Sequence, residues 1–193
     1  NLFENKYKLI LASSSERRLL LLKRIGYIPN IIDAPEIDEN IYINEKPGLY
    51  VKRIAREKAE KVSKKHKNSY IIAADTVIFS GAKIYGKALN ESDAFTILKK
   101  LSGRRHRVYG AICLISPNKN ISLKVIITQV SFRVISDKEI KDYISEREWK
   151  GKAGCYAIQG IASKFIKKIN GNYDNVVGLS LIDADKMLKG IKP

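Results

Sequence analysis

One carboxylate constrains this chain more than any other residue does. In the run Tyr70-Ile71-Ile72-Ala73-Ala74-Asp75-Thr76-Val77-Ile78-Phe79 both alternating faces are apolar, the pattern of a strand covered on both sides. Asp75 shares its face with Ile71, Ala73, Val77 and Phe79, because side chains alternate along a strand. An ionised carboxylate in that setting needs a metal, a basic partner or a cleft, since an unpaired buried charge is costly. A buried Asp–Arg pair, or a strand that stops at Ala74, are the structural alternatives. Perturbed acids concentrate at functional sites, and we read Asp75 as one of them.

The flanking periodicities describe a mixed α/β chain. Residues 8–12 read as a buried strand, and residues 16–25 as a helix closed by Gly26. A second strand over 27–33 leads into a stretch, 33–45, with five acidic residues and no Lys or Arg. On charge alone this is a solvated loop, with cation binding as the other reading. Residues 48–65 form a long amphipathic helix, and 91–101 a helix capped by Asn90. Two long strands, 108–116 and 121–135, precede a helix over 136–146 whose Ser136 and Glu139 fit a capping box. A strand at 164–169 and a helix near 181–188 complete the chain. Strands alternate with helices early and then run consecutively, which argues a mixed sheet flanked by helices in one domain, 1–193.

Composition fits such a fold. The 45% hydrophobic content supports a packed core and speaks against wholesale disorder. No apolar run approaches the ~18 residues of a membrane helix, and the polar, charged start lacks the apolar region of a signal peptide. Cys113 and Cys155 stand in no pairing or metal-ligand spacing, so a reducing, cytoplasmic compartment is expected. With 36 Lys and Arg against 20 Asp and Glu, the net charge of +16 attracts polyanions. Nucleic acid, a membrane surface and phosphorylated small molecules all answer that description.

Several positions break the local patterns. Ser13-Ser14-Ser15-Glu16-Arg17-Arg18 lies between a strand and a helix. A capping box, with Ser13 as cap and Glu16 reaching back, explains the serines and the glutamate. It does not explain Arg17 and Arg18 in a first turn, where the helix dipole disfavours cations. Beside exposed N–H groups and hydroxyls, two arginines make a phosphate cradle. Lys58 falls on the helical stripe of Val51, Ala55 and Val62, where it either snorkels to solvent or meets an anion. Gly81-Ala82-Lys83-Ile84-Tyr85-Gly86-Lys87-Ala88 imitates a phosphate-binding loop, but Ala88 replaces the hydroxyl that would hold magnesium. We reject that loop and keep Lys87 as a phosphate contact. Gln159, beside Gly160, is either an ordinary surface residue or an amide able to donate and accept towards a base edge. His106 has no Cys or second His nearby and reads as a turn or packing residue.

Taken in order, these segments resemble the Maf family of nucleoside triphosphate pyrophosphatases. The blocks are Leu9-Ile10-Leu11-Ala12-Ser13-Ser14-Ser15-Glu16-Arg17-Arg18, Arg56-Glu57-Lys58-Ala59, Ala74-Asp75-Thr76-Val77 and Gly86-Lys87. Then follow Leu101-Ser102-Gly103 with His106 and Val108, Ala157-Ile158-Gln159-Gly160, and Ile169-Asn170-Gly171-Asn172-Tyr173 with Val176-Val177-Gly178-Leu179. Three positions depart from the family pattern: Glu16 and Ser180 stand for Pro, and Tyr109 for Thr.

The resemblance implies a twisted mixed β-sheet flanked by helices, forming two lobes around a central cleft, and commonly a homodimer. It implies hydrolysis of the α–β phosphoanhydride of a nucleoside triphosphate with a divalent metal, Mg²⁺ or Mn²⁺, in the service of nucleotide-pool sanitation. Asp75 matches the catalytic carboxylate near the metal, and Glu39 matches the second acidic position, a metal ligand. Ser13, Arg18, Lys58 and Lys87 match polar and basic positions around the triphosphate. Arg17, Thr76 and Gln159 match the branch that prefers dTTP and UTP, modified pyrimidine nucleotides included. The alternatives are the same chemistry on another base, such as 7-methyl-GTP, or a basic nucleic-acid-binding or cell-division regulatory protein without turnover. Nucleic acid is a secondary partner on this reading, and no membrane partner is expected.

Overall fold

The computed structural model describes residues 6–193. The expectation about a signal peptide falls partly on residues 1–5, which lie outside the described residues. Strand β1 (Lys8–Leu11) leads into helix α1 (Glu16–Arg24). The cap of α1 is Ser15 rather than Ser13: the Ser15 hydroxyl accepts from the Arg18 N–H at 3.4 Å. Gly26, at φ +85°, lets the chain leave the helix where an L side chain would be strained. The expected strand at 27–33 is reduced to β2 (Ile31–Ile32). Pro29 has no N–H to give a ladder, and the Asn30 side chain takes the Leu9 N–H at 2.8 Å in place of a backbone carbonyl.

Helix α2 (Pro47–Lys65) starts with Pro in its first turn, where the missing N–H costs nothing. Strand β3 (Ser69–Ser80) carries Asp75 and turns through Gly81 and Ala82, both at positive φ, into β4 (Lys83–Tyr85). That is the two-residue hairpin geometry, and it is what occupies the decoy phosphate loop. Helix α3 (Glu91–Leu101) is capped by Asn90 as expected. Then come β5 (Arg105–Ile115), β6 (Ile121–Phe132) and α4 (Asp137–Ser145) with its Ser136–Glu139 capping box. A short 3-10 helix (Ile161–Phe165), absent from the sequence reading, shortens the next strand to β7 (Ile166–Asn170). Helix α5 (Tyr173–Val177) sits in the turn-rich stretch, and α6 (Leu181–Gly190) ends the chain.

The seven strands form a mixed sheet in the order β2-β1-β3-β5-β6-β7, with β4 paired to β3. Strand β1 pairs in parallel with both β2 and β3, while β6 and β7 are antiparallel. The chain divides into two compact units, matching the two lobes implied by the resemblance. The first holds Asn1–Asp75, Gly110–Ile126 and Gly178–Pro193, and the second Thr76–Tyr109 and Ile127–Val177. In the first, the α2 stripe Val51, Ile54, Ala55, Ala59 and Val62 is fully buried, as are Ile10, Leu22 and Ile71. The second packs an aromatic core that includes Phe132, Tyr143, Trp149, Tyr156 and Phe165. Among the described residues, no helix is long and apolar enough to cross a membrane.

Two features of the second unit can be checked by thermal unfolding. A Cβ on Gly154, which sits at φ +65°, would lie 2.6 Å from Ile78 Cγ1. Gly154→Ala is expected to cost about 2 kcal/mol, read as a drop in Tm, through strain and overpacking. The Arg133 guanidinium and the Ser136 N–H hold the Glu139 carboxyl down to about 2, below its ordinary 4.5. A depressed carboxylate stabilises the fold above its unfolded value, and that contribution fades as pH falls from 4.5 towards 2. Glu139→Gln should therefore lower Tm at pH 7 and match the parent near pH 2; because the pair is exposed, the shift is small.

Candidate active site

Strand β1 delivers the chain to the turn at Ser13, and the first turn of α1 brings Arg18 back over it. The Ser13 hydroxyl accepts from the Ser15 N–H at 3.2 Å and from Arg18 Nη1 at 3.2 Å. Arg18 Nε donates to the Gly178 carbonyl at 2.8 Å, so the guanidinium is fixed at both edges. Burial pushes the Arg18 pKa down, and the nearby Asp75 and Glu39 carboxylates act against that shift. Arg17 stands beside it, half-buried, with its pKa also lowered by burial. Two cations thus sit where a helix N-terminus already favours anions, the arrangement of a phosphate cradle.

The acidic stretch 33–45 has no regular structure, yet it is not a free loop. It is strapped along α2. Tyr50 Oη donates to the Glu39 carbonyl at 2.7 Å, and Arg53 Nη2 to the Asn40 carbonyl at 2.8 Å. Arg53 also pairs with Glu45 at 2.7 Å and lies 3.8 Å over the Tyr42 ring. The Lys61 ammonium reaches the Glu36 carbonyl, and His66 Nε2 lies 2.8 Å from Asp33. Burial, then the Asp75 and Glu39 carboxylates, push the Tyr50 phenol up, so it stays a hydrogen-bond donor. Sequence reasoning missed Tyr50 and Arg53. The signal was present, since Tyr50, Arg53, Glu57 and Lys61 recur at helical spacing beside the apolar stripe.

This strap brings Glu39 to Lys58. The Lys58 ammonium lies 2.8 Å from Glu39 Oε1 and 3.2 Å from Asp75 Oδ1. Lysine on the apolar stripe therefore meets an anion rather than snorkelling to solvent, and it meets two. Its side chain and that of Asp75 are each 12% exposed, whereas Glu39 is 42% exposed. Burial raises the Asp75 pKa; Lys58 and Arg18 oppose the shift, and Glu39 adds to it. The second Asp75 oxygen, Oδ2, is buried with no hydrogen-bond partner among the described residues. An acceptor left open in this way suits a proton or a cation.

No three His, Cys, Asp or Glu side chains converge as a metal site among the described residues. A cation here would have two carboxylates from the chain, Asp75 and Glu39. That number fits a Mg²⁺-type ion, which takes one or two carboxylates and draws its other ligands from water and phosphate. The first unit thus gathers Ser13, Arg17, Arg18, Glu39, Lys58 and Asp75. The other sequence candidates belong to the second unit. Thr76 follows Asp75 on β3, Lys87 is exposed and bridges Ala153 after β4, and Gln159 is exposed in a turn closed by the Gly160 N–H to the Ala157 carbonyl at 3.0 Å.

Known proteins resemble the chain over nearly its whole length. The family model described as Maf-like protein matches residues 8–191. A dTTP/UTP pyrophosphatase of Paramagnetospirillum magneticum is 43% identical over 94% of this chain and 96% of that protein. A nucleoside triphosphate pyrophosphatase of Ehrlichia ruminantium is 46% identical over 96% of each. A dTTP/UTP pyrophosphatase of Zymomonas mobilis is 46% identical over 93% of this chain and 89% of that one. Among solved structures, the Ham1 protein of Staphylococcus aureus is matched at a TM-score of 0.47 and 16% identity over 64% of this chain and 71% of that one, a likeness too slight to carry weight. On the family match and the relatives that span nearly its whole length, the chain belongs to the Maf-like family.

Proposed function

We propose that the protein hydrolyses the α–β phosphoanhydride of dTTP and UTP, releasing the nucleoside monophosphate and pyrophosphate. One observation carries the reading. A buried carboxylate with an open oxygen, Asp75, lies among two cations, Lys58 and Arg18, and a second acid, Glu39. Relatives named dTTP/UTP pyrophosphatase support the choice of substrate. Pyrimidine nucleotide-pool sanitation is the role this reaction would serve.

The chemistry follows from the residues. Ser13, Arg17, Arg18 and Lys58 bind phosphate oxygens. The water oxygen bonds to phosphorus, the anhydride P–O bond breaks, and the water proton passes to Asp75 Oδ2. A carboxylate whose pKa is raised by burial is the better base for that transfer. Lys58 holds Asp75 Oδ1 and so aims Oδ2. A divalent cation, Mg²⁺ or Mn²⁺, held by Glu39 and Asp75 would neutralise phosphate charge and acidify the attacking water. Thr76 and Gln159 are the candidates for base recognition: an amide offers both a donor and an acceptor to the N–H and carbonyls of a uracil or thymine edge.

Two variants test this. Asp75→Asn removes the base and leaves the shape. Turnover of UTP, followed as pyrophosphate release with Mg²⁺ or Mn²⁺, should fall roughly a thousandfold. The same variant should melt higher than the parent at pH 8, because the fold no longer holds a buried charge that burial disfavours. Near-parental turnover would overturn the assignment. Gln159→Ala should lower the preference for UTP over CTP by about tenfold while leaving pyrophosphate as product. An unchanged preference would remove Gln159 from base recognition.

A further inference from the structure

In the second unit, residues 153–161 run without regular helix or strand until the 3-10 turn, yet they are tied down almost residue by residue. Ala153 bridges Lys87, and the Gly154 N–H donates to the Gly86 carbonyl at 3.0 Å. Tyr143 Oη donates to the Cys155 carbonyl at 2.7 Å. The Tyr156 hydroxyl lies 2.6 Å from His106 Nε2. Beyond Gln159, the Glu148 carboxylate accepts from the Ile161 N–H at 2.9 and 3.2 Å, and passes so close to Gly160 that a Cβ there would overlap Oε1. The segment is a bracket. It joins the turn of Lys87 to the turn of Gln159.

One of these ties leaves a polar atom unsatisfied. His106 is 2% exposed, set edge-on to Phe132 at 5.0 Å and to Tyr156 at 5.5 Å. Its Nδ1 is buried with no hydrogen-bond partner among the described residues. Burial pushes the imidazole down to about 4, so the ring is neutral at physiological pH. In either tautomer one nitrogen serves Tyr156 and the other is orphaned. A Leu at 106 with a Phe at 156 would fill nearly the same space with nothing polar to satisfy. Replacing both partners of a buried polar pair by apolar groups is commonly neutral or stabilising. Stability therefore gives no reason for the pair to be polar.

We propose that His106 and Tyr156 are positioning residues, whose hydrogen bond sets the turn that presents Gln159 relative to Lys87 and so governs base selection. This rests on the nucleotide reading above. Tyr156 lies three residues before Gln159, and its hydroxyl makes the side-chain hydrogen bond nearest to it on that side among the described residues, just ahead of the Ala157 carbonyl that closes the turn. Tyr156→Phe keeps the packing but removes that tie, so the amide three residues on is no longer positioned by it.

The test compares the parent with Tyr156→Phe, His106→Leu and the double variant, each read in two ways. Thermal unfolding reports stability, and the ratio of kcat/KM for UTP over CTP reports base selection, because the triphosphate is common to both substrates. Tyr156→Phe should melt below the parent, since it leaves both His106 nitrogens without a partner; His106→Leu exchanges the orphaned nitrogen for an orphaned Tyr156 hydroxyl and should melt below the double variant, which should recover. The UTP preference should fall about tenfold in all three, the recovered double included, with kcat for UTP held within about threefold. Parental selectivity in a stable double variant would show the pair to be structural and overturn the proposal. Where the double variant fails to fold, Tyr156→Phe decides alone, as it removes a single oxygen; parental selectivity there is equally fatal. Gln159→Ala is the control. If it too leaves the UTP preference intact, the base-recognition reading falls along with the proposal; if it loosens the preference and the pair does not, the proposal falls alone.

Discussion

A single ammonium shared by two carboxylates is the interaction on which the candidate site depends. Lys58 lies within 3.2 Å of both Glu39 and Asp75, and neither acid is well placed without it. Asp75 is committed to the interior by the strand it belongs to, since its neighbours on both faces must be covered. Lys58 is committed by its place on the buried stripe of α2. Each charge is the reason the other is tolerable. The pairing is nevertheless incomplete, because burial still outweighs Lys58 and Arg18 in setting the Asp75 pKa. A partly compensated buried acid costs stability and keeps its basicity, which is the combination that proton transfer requires.

The strap at 33–45 explains why a chain of net charge +16 keeps an acidic patch. Its charges are spent mainly within the fold. Asp33 meets Lys65 and His66, Glu45 meets Arg53, and Glu39 meets Lys58. Helix α2 supplies most of those cations, so what reads as a basic helix beside an acidic loop is one neutralised layer. Of these three acids, Glu39 is the most exposed, at 42%, and the one that also neighbours Asp75. Arg17 and Arg18 share the first turn of α1 with one acid, Glu16, while Lys58 lies between the two site carboxylates.

Much of this was legible in the sequence, and the rest was not for identifiable reasons. The strand of Asp75, the stripe of α2 and the caps of α3 and α4 rest on local periodicity and on cap chemistry, which need no tertiary information. The cap of α1 was misassigned because three consecutive serines offer three registers, and the choice falls to Ser15 once Ser13 is engaged by Arg18. The strand read over 27–33 shrinks to the two-residue β2 because Pro29 and Asn30 break its ladder, and β4 escaped because Ala82 is a poor signal for a positive-φ turn. At the site, the stripe position of Lys58 left solvent and an anion both open, and it could not say which anion. Tyr50 and Gly178 act through a hydroxyl-to-carbonyl bond and a carbonyl acceptor, contacts that any Tyr or any backbone can make.

Among the described residues, two buried side-chain atoms lack a hydrogen-bond partner, Asp75 Oδ2 and His106 Nδ1. Native interiors satisfy nearly all such groups, so each exception calls for a cause. They fall one in each unit. The first is a reactive atom, left open because a satisfied oxygen would be a poor acceptor for a proton. The second is the by-product of using imidazole, a two-nitrogen ring, where only one nitrogen has work. A chain selected for stability alone would have removed both, the first with an amide and the second with a hydrocarbon. Both are points where local consistency is broken, and we assign the proposed chemistry to the first and the proposed base selection to the second.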